Sequence, residues 1–427
     1  MEELAMKHSR FFGKTVLACT FILAMIGWGI GFYGPPIYMQ SVMERTGWPI
    51  AQVSTAVTLH FLSGTIVIAN LPRLYARFGI PAITVLGSIF LGIGVNIWAQ
   101  ANQLWVLYAG AMCSGIGWVT LGAAAVNTLI APWYNKERPQ ALGKAYNGAS
   151  MGGVVFSPLW VWLIEGFGFA TAALVISLAA LLLIGIFAFL VFNKTPQGLG
   201  QHPDNAEQTE PVPPATSATP WTVMQTLEVA DFRSLAAGMS LGLFAQIGLI
   251  AHLYSILVGR MGAHDASFAM GLATASAMGG RYIAARLMIQ GINRRLLACQ
   301  GYAIQLLGTL MLLGLDLHPT VAWMAVVLIG SGIGNATSLP PLIAQTEFSR
   351  EHTARVIALM VAISQATYAF APAFFGLVRT AFSHPNHAIA AVVTAAVIVQ
   401  VLAILSFYRG VSARPFRIRP IEHRHQR

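Results

Sequence analysis

Twelve apolar stretches, each about as long as a bilayer is thick, restrict what this chain can fold into. A transmembrane helix needs roughly 20 mainly apolar residues to cross the hydrocarbon core. Such stretches fall near 15–38, 51–72, 82–100, 104–131, 141–164, 168–192, 233–258, 267–290, 297–315, 320–345, 354–379 and 386–408. A lone span in hydrocarbon can satisfy its backbone polar groups only as a helix. The sequence therefore predicts an all-α membrane protein with twelve transmembrane helices, which we number spans one to twelve.

Composition indicates a surface covered by lipid rather than by water. Only 9% of the 427 residues are charged and the mean hydropathy is +0.66, whereas a soluble domain has about 25% charged residues. The bases occur in short clusters between apolar stretches, so nucleic-acid binding is not expected despite the net charge of +10. Cys19, Cys113 and Cys299 form no C-x-x-C pair or zinc spacing. We therefore expect no metal site and no cofactor.

The bases are distributed unequally between the two sides of the predicted membrane. With twelve alternating spans, 21 of the 25 lysines and arginines lie on the side of the termini, and Arg45, Arg260 and Arg379 lie opposite. The positive-inside rule then predicts cytoplasmic termini. Basic residues precede the first stretch as in a signal peptide, but no small-residue cleavage site follows, so this stretch is interpreted as span one. We expect a multi-pass protein of the bacterial inner membrane.

An internal repeat divides the chain into two halves. The sequence SGIG at 114–117 in span four recurs at 331–334 in span ten, 217 residues later, and Pro158 recurs as Pro372 in the following spans. Such duplication is typical of transporters with two parallel six-helix halves and a substrate site between them near the midplane. Glycines in spans one and four are expected to allow close helix approach.

These patterns predict four regions along the chain. We expect an N-terminal six-helix bundle at 1–192 and a C-terminal one at 233–410. The segment 193–232 between them contains TPQGLGQHPDNAEQTEPVPPATSATP, a composition typical of disorder. We predict a cytoplasmic linker, mostly disordered, that ends in a short surface helix over 221–231. A basic cytoplasmic tail follows at 411–427.

One base, Arg281, belongs to neither side of the membrane. Span eight runs inward from about residue 267, so at 1.5 Å per residue Arg281 lies roughly 21 Å deep, just past the midplane. A charge at that depth is costly and tends to mark a transport pathway. The predicted spans hold no well-buried Asp or Glu to neutralise it, and a guanidinium fork suits a carboxylate. The alternative is a structural guanidinium bonded to helix carbonyls.

The chain resembles the major facilitator superfamily, and within it the branch of monocarboxylate transporters and oxalate/formate exchangers. The similarity covers nearly all of the sequence. It is strongest in WYNKERPQALGKAYNGASMGG (133–153), in TPQGLGQHPDN (195–205), and from HLYSILVGRMG (252–262) to AMGGRYIAARLMIQGINRR (277–295). It implies the major facilitator fold of two pseudo-symmetric six-helix bundles, in a chain that works as a monomer. Arg281 matches the span-eight arginine that binds the substrate carboxylate in this branch.

The sequence departs from the family pattern at several positions. The loop after span two, PRLYARFGIP (72–81), has Ala76 where the family has an acid. Proton-coupled members resembling this chain have an Asp one turn before the arginine, where this chain has Ala277. Oxalate exchangers have a lysine in span eleven, where it offers only Gln365 and Tyr368. A single buried cation favours a monoanion over a dianion.

Other candidate site residues lie on spans that line the cavity in this fold. We expect the following to shape the site or form hydrogen bonds with a small organic anion: Tyr33, Trp118, Asn147, His252, Asn335, Gln365 and Tyr368. His60 and His252 are candidate proton carriers, because histidine titrates near neutral pH; an interhelical hydrogen bond is the alternative for each. The expected cytoplasmic gate, whose members could instead be only topogenic charge, consists of Arg73, Arg77, Arg294 and Arg295.

The predicted function is secondary active or facilitative transport of a small organic monocarboxylate by alternating access. No Walker A motif (G-x-x-x-x-G-K-[ST]) occurs in the sequence, so no ATP-driven step is expected. An exporter of amphipathic compounds and an organic dicarboxylate exchanger are the alternatives within transport. A membrane enzyme or a nutrient sensor would need a catalytic constellation or a signalling domain, and the sequence shows neither.

Overall fold

The computed structural model describes residues 11–205 and 221–412. The predicted basic tail beyond residue 412 and the centre of the linker, 206–220, lie outside the described residues. The ends of the linker are described and include two 3₁₀ turns, Gln197–Leu199 and Pro203–Asn205.

The N-terminal half contains the first six spans. Its α-helices are α1 (Gly13–Gly31), α2 (Gly34–Thr46), α3 (Ile50–Phe78), α4 (Ile80–Gln100), α5 (Leu104–Thr120), α6 (Ala123–Ile130), α7 (Arg138–Phe167) and α8 (Phe169–Phe187), and α8 continues as a π-helical turn, Ala188–Phe192. Helices α1 and α2 together form span one, and α5 and α6 form span four. Each of the other helices forms one span.

The C-terminal half follows the same scheme. Its α-helices are α9 (Val223–Glu228), α10 (Ala230–Ile289), α11 (Arg294–Met311), α12 (Pro319–Glu347), α13 (Arg350–Tyr368), α14 (Ala371–Thr380) and α15 (Pro385–Ser412). The short helix α9 falls within the predicted surface helix and begins with a capping box formed by Thr222 and Gln225. Helices α13 and α14 together form span eleven.

Helix α10 contains two spans. A straight helix of its 60 residues would be about 90 Å long, against a hydrocarbon core of about 30 Å. Gly262 interrupts the helix with φ 80° and ψ 166°, a backbone conformation that glycine adopts without a steric penalty. Residues 230–261 therefore form span seven, and residues 263–289 form span eight. Eleven described helices are long and apolar enough to cross a membrane, and because α10 provides two spans the predicted twelve are confirmed.

Glycines bring spans of each half into backbone contact. A Cβ atom at Gly115 in span four would overlap the His60 carbonyl oxygen of span two. A Cβ atom at Gly334 in span ten would overlap the Ala277 carbonyl oxygen of span eight. Each copy of the SGIG motif thus brings two spans close together, but through different glycines: Gly115 is the second residue of its motif and Gly334 is the fourth.

The halves meet on the side of the membrane that we call the far side, opposite the linker side where residues 193–229 connect the bundles. Span two packs against span eleven where Gly376 contacts Ser54, and span five packs against span eight where Gly153 contacts Thr274. Toward the linker side, span five has exposed residues such as Asn147. The molecule is therefore closed on the far side and open toward the linker side.

Candidate functional site

Three spans are broken near the middle of the membrane. Span one is interrupted at residues 32–33, span four at 121–122 and span eleven at 369–370. Helices α2 and α14 both begin with proline in the first turn, which cannot donate the hydrogen bond that a continuous helix would need. Discontinuous helices at this depth are typical of substrate sites in transporters, because the half-helix N-termini carry partial positive charge.

Arg281 lies between the two halves, on span eight. Its side chain is half-buried, and Nη2 donates a hydrogen bond across the interface to the Ser150 hydroxyl of span five. The Nε atom is buried without a hydrogen-bond partner. Gly334 of span ten lies directly against the guanidinium, since a Cβ atom there would be 2.7 Å from Nε. No ion pair among the described residues includes Arg281, so its charge is not neutralised by a carboxylate of this part of the chain.

An aromatic cluster surrounds the helix breaks and begins beside Arg281. Tyr33 is 5% exposed and lies one turn after Gly29, against which span five packs at Gly152, two residues from the Ser150 that Arg281 binds. Its ring meets the Phe32 ring edge-on, with the ring centroids 5.0 Å apart. We define the aromatic cluster as Phe32, Tyr33, Phe61, Trp118 and Tyr368.

The aromatic cluster continues across the interface between the halves. Phe61 of span two contacts Trp118 of span four edge-on at 5.4 Å between ring centroids. The same ring meets Tyr368 of span eleven at 6.0 Å. Phe32 contacts both Phe61 and Trp118, and the Trp118 Nε1 atom is buried without a hydrogen-bond partner. Three of the predicted site residues, Tyr33, Trp118 and Tyr368, are therefore brought together.

The predicted amide side chains take different positions around this site. Asn335 follows Gly334 on span ten and donates a hydrogen bond of 3.2 Å to the Gly280 carbonyl, so it fixes span eight next to Arg281. Gln365 is buried on span eleven, one turn before Tyr368. Asn147 is exposed on span five, one turn from Ser150 toward the open linker side.

His60 is an interhelical hydrogen-bonding residue in this structure. Its Nδ1 lies 2.8 Å from the Ser114 hydroxyl and its Nε2 lies 2.9 Å from the Gly31 carbonyl oxygen. The ring stacks on Trp118 and is 1% exposed. Both ring nitrogens are thus engaged inside the N-terminal half, and a role in carrying protons stays a prediction.

His252 lies in a second polar group, between spans seven and eleven. Its Nε2 is 3.0 Å from the Pro372 carbonyl oxygen, and its Nδ1 is buried without a partner. Arg379, further along span eleven, donates a hydrogen bond to the Ser255 hydroxyl. The structure therefore bonds His252 to helix α14 within the C-terminal half, and its predicted contact with substrate stays a prediction.

The four predicted gate arginines do not form a group in this conformation. Arg77 lies over its neighbour Phe78, with Cζ 5.2 Å from the ring centroid, and Arg73 is exposed. Arg294 donates a hydrogen bond to the Leu342 carbonyl in the last two turns of span ten. The described hydrogen bonds of Arg294 and Arg295 all stay within the C-terminal half.

Arg295 is a buried residue that joins four spans. It is 1% exposed and forms a bidentate ion pair with Glu347, with both N–O distances 2.7 Å. It also donates to the Ser234 hydroxyl at 3.0 Å and to the Asp231 carbonyl at 3.1 Å. The Phe407 carbonyl of span twelve accepts a further bond of 3.4 Å. Sequence reasoning missed this pair, because α12 runs two residues past the predicted end of span ten.

Two hydroxyl residues at the interface between the halves were also missed. Ser150 binds Arg281, and the Thr58 hydroxyl of span two accepts a hydrogen bond of 3.0 Å from the Ala373 amide at the start of α14. These two hydrogen bonds cross between the halves within the described part of the chain. The internal repeat does mark Ser150. A serine, Ser364, occurs 214 residues after it, and the same offset relates Pro158 to Pro372.

A metal site and a surface groove are two other kinds of site to which the described residues could contribute. Among the described residues, no group of three or more His, Cys, Asp or Glu side chains could hold a metal ion. A groove of about 420 Å³ lies between spans three, four and six and is mainly apolar, with Asn96 and Ser177 among its lining residues. Asn96 donates a hydrogen bond to Ser177 at 3.2 Å, whereas the hydroxyl of Ser88, which also lines the groove, is buried without a hydrogen-bond partner.

Comparison with known proteins identifies the class to which this fold and site belong. A model of the Major Facilitator Superfamily matches residues 16–372. The chain therefore belongs to the Major Facilitator Superfamily, a family of multi-pass membrane transporters rather than of enzymes. The predicted family and fold are confirmed.

Individual relatives match over parts of their length. MFS transporter asaE of Aspergillus flavus is 27% identical over 140 residues, which cover 33% of this chain and 31% of the relative. Monocarboxylate transporter 13 of Bos taurus is 27% identical over 118 residues, 27% of this chain and 28% of the relative. The chain thus spans about a third of the length of the curated relatives that it matches.

A solved structure matches over almost the whole chain. It is a bacterial homolog to the human lysosomal transporter Spinster, in an inward-facing and unoccupied conformation. The two superimpose with a TM-score of 0.69 at 15% identity, covering 96% of this chain and 100% of the other. At that identity the likeness shows the fold alone.

Proposed function

We propose that this chain carries a small organic monocarboxylate across a cell membrane by alternating access of its two halves. The observation that supports this most directly is Arg281, a half-buried guanidinium between the halves with a buried Nε that has no partner. Leaving such a donor unsatisfied in a site of low dielectric is costly. A carboxylate would accept bonds from Nε and a terminal nitrogen together, which is the geometry that arginine binds best.

The hydrogen bond from Arg281 to Ser150 connects this site to the contact between the halves. Arg281 belongs to span eight and Ser150 to span five, so an anion that takes over part of the guanidinium changes a bond that holds the halves together. Alternating access requires such a link between substrate binding and the interface. We propose that the linker side, on which most bases fall, is cytoplasmic and that the chain works as a monomer in a bacterial inner membrane.

The charge at the site favours a monoanion. Arg379, a half-buried arginine on span eleven, is one residue from the far-side end of α14 and is bonded to Ser255, whereas Arg281 lies 18 residues, about 27 Å, beyond the far-side start of span eight at residue 263. Arg379 is therefore too far away to share a small dianion with Arg281. The partial similarity to Monocarboxylate transporter 13 also supports a monocarboxylate.

Uptake of labelled lactate and acetate into proteoliposomes tests the proposal. Arg281→Ala should reduce saturable uptake about a hundredfold or more, because the carboxylate loses a charge-assisted pair in a desolvated site. Arg281→Lys should retain a fraction of it, since an ammonium keeps the charge but not the planar fork.

Arg286→Ala is the matched control. Arg286 is on the same span and is exposed, and it bonds the Tyr282 hydroxyl one turn away, so its loss should leave uptake near the wild-type level. Unchanged uptake in Arg281→Ala, with the variant correctly folded, would rule out the proposed site. An equal loss of uptake in Arg286→Ala would show that the effect of Arg281→Ala comes from the loss of a positive charge and not from the loss of a specific carboxylate-binding group.

A further inference from the structure

We infer that the preferred substrate is an aryl monocarboxylate, in which a flat ring is joined to the carboxylate directly or by a short arm, without an ammonium group. This inference rests on the proposed function, because Arg281 binds the carboxylate in both. The additional observation is the aromatic cluster, which begins beside Arg281 and lies around the helix breaks.

The aromatic cluster occupies the part of the fold where a substrate would lie. Phe32 and Tyr33 form the break in span one, and Tyr368 is the last residue of α13 at the break in span eleven. Trp118 is two residues from the end of α5, next to the break in span four. Broken helices of this kind surround substrate near the midplane, so the rings lie where they can contribute to the wall of the substrate site.

The rings are arranged in a way that another ring can extend. Neighbouring pairs are edge-on or tilted: Phe32 with Tyr33 at 86°, Phe61 with Trp118 at 72° and Phe61 with Tyr368 at 83°. Such a cluster presents both ring faces and ring edges, and aromatic pairs favour these arrangements because of the quadrupole of each ring. An aliphatic acid as small as acetate gains none of this interaction.

The members of the aromatic cluster differ in how much of their surface is exposed. Tyr33, Phe61 and Trp118 are 5%, 3% and 7% exposed, whereas Phe32 and Tyr368 are half-buried. Phe32 and Tyr368 are therefore the members of the aromatic cluster with the most surface that the protein itself does not cover. Phe61 contacts Tyr368 across the interface, so a ring bound against them would contact both halves at once.

The charges of the described spans exclude an ammonium group from this position. The described acidic residues of the membrane-spanning helices all lie near helix ends: Glu44, Glu165, Asp231, Asp265, Glu347 and Glu351. A zwitterionic aromatic amino acid would place its ammonium near the Arg281 guanidinium without an acidic partner, which is unfavourable at low dielectric. The substrate therefore carries one charge, the carboxylate.

Uptake kinetics in proteoliposomes containing the full chain test this inference. The KM for labelled benzoate or phenylacetate should be about tenfold or more below that for acetate or lactate, because ring contacts of this kind each add a few-fold in affinity. Phenylalanine should compete far more weakly than phenylacetate. Phe32→Leu should raise the phenylacetate KM about tenfold and should change the acetate KM much less. Tyr368→Leu provides a second, independent test if the first variant does not fold.

Controls separate this inference from the proposed function. Phe90→Leu removes a ring from span three that is 42% exposed, outside the aromatic cluster, and should change neither KM. Arg281→Ala should abolish uptake of both acids. If acetate and lactate are carried with Arg281 dependence but aryl acids are not preferred, the inference fails while the proposed function stands. If Phe32→Leu and Tyr368→Leu weaken both acids equally, the rings serve only packing and the inference is wrong. If neither class of acid is carried, the proposed function itself fails.

Discussion

The two halves both bring spans together through glycines of the SGIG motif, but they differ in their buried polar groups. In the N-terminal half, the His60 ring has hydrogen bonds to both nitrogens and a tryptophan against its face. The offset of 217 residues that relates the two SGIG motifs takes Arg281 back to Gly64, so the corresponding position of span two has no side chain at all. Both halves of the repeat therefore contain closely packed helices, but only the C-terminal half has an arginine at this position.

The halves also differ in how their linker-side ends are fixed. In the C-terminal half, Arg295 and Glu347 form a buried pair that joins spans seven, nine, ten and twelve. In the N-terminal half, Arg77 lies over an adjacent phenylalanine at the surface. Arg281 thus belongs to the half that contains the buried Arg295–Glu347 ion pair, and most of the aromatic cluster belongs to the other half.

The largest effect is expected from breaking the Arg295–Glu347 pair. Glu347→Gln leaves a buried guanidinium, 1% exposed, without its anion, which typically destabilises a protein by about 3–5 kcal/mol. Thermal unfolding in detergent should show a clear loss of stability. Arg77→Ala, on the corresponding end of the N-terminal half, should change the unfolding temperature little. Equal effects of the two substitutions would contradict the asymmetry between the halves.

The sequence predicts the spans but not several of the contacts between them, and these two outcomes have different physical causes. Hydrophobic length fixes a transmembrane helix because lipid offers its backbone no other hydrogen-bond partners, and Arg281 stands out because a charge in hydrocarbon is costly. Ser150, Thr58 and Glu347 carry no such local signal. Their partners are 131, 315 and 52 residues away in sequence, so only the assembled fold shows what each one binds.

The two membrane histidines provide the next comparison. His60→Leu removes two hydrogen bonds and leaves the Ser114 hydroxyl and the Gly31 carbonyl without that partner, a cost of about 1–3 kcal/mol. His252→Leu removes one hydrogen bond, to Pro372, and should cost less. Thermal unfolding of both variants checks this order.

The pH profile of uptake separates structural from proton-carrying roles for these histidines. His60 has no free ring nitrogen, so His60→Leu should leave the shape of the profile unchanged. His252 has an unpartnered Nδ1 and is the residue at which a change would appear. A profile that flattens in His60→Leu and not in His252→Leu would reverse this assignment.

A smaller effect is expected at the bond that joins the halves on the far side. Thr58→Val removes the acceptor for the Ala373 amide, a loss of about 1 kcal/mol, or roughly a fivefold shift toward the state that is open on the far side. Distances between spin labels at Glu165 and Asp265, both exposed on that side, should show a larger open population. Thr65→Val, whose hydroxyl bonds only the Phe61 carbonyl of its own helix, should show no shift.

The two ends of the linker contact corresponding loops, those before spans five and eleven, by different interactions. The smallest effect is expected from weakening one of these contacts. On the N-terminal half, the Asp204 carboxylate accepts hydrogen bonds from the backbone amides of Asn135, Lys136 and Glu137, at distances from 2.6 to 3.4 Å. On the C-terminal half, the Trp221 ring stacks on His352 with 3.9 Å between centroids. The first contact consists of charge-assisted hydrogen bonds and the second is mainly ring stacking.

Asp204→Asn should weaken only the first contact, by about 0.5–1 kcal/mol, because asparagine tolerates the left-handed backbone at this position, φ 59°, but offers one acceptor oxygen and no charge. Hydrogen exchange of amides 135–137 should accelerate by about two- to fivefold, in proportion to that free energy. Raising the salt concentration should accelerate exchange at the same amides in the wild type, since salt screens the interaction of an exposed carboxylate with the amides at a helix N-terminus, and should leave the Trp221 contact unchanged. Equal salt sensitivity at both ends would show that the linker docks on the two halves by one mechanism, and the contrast between the halves would then stop at the membrane surface.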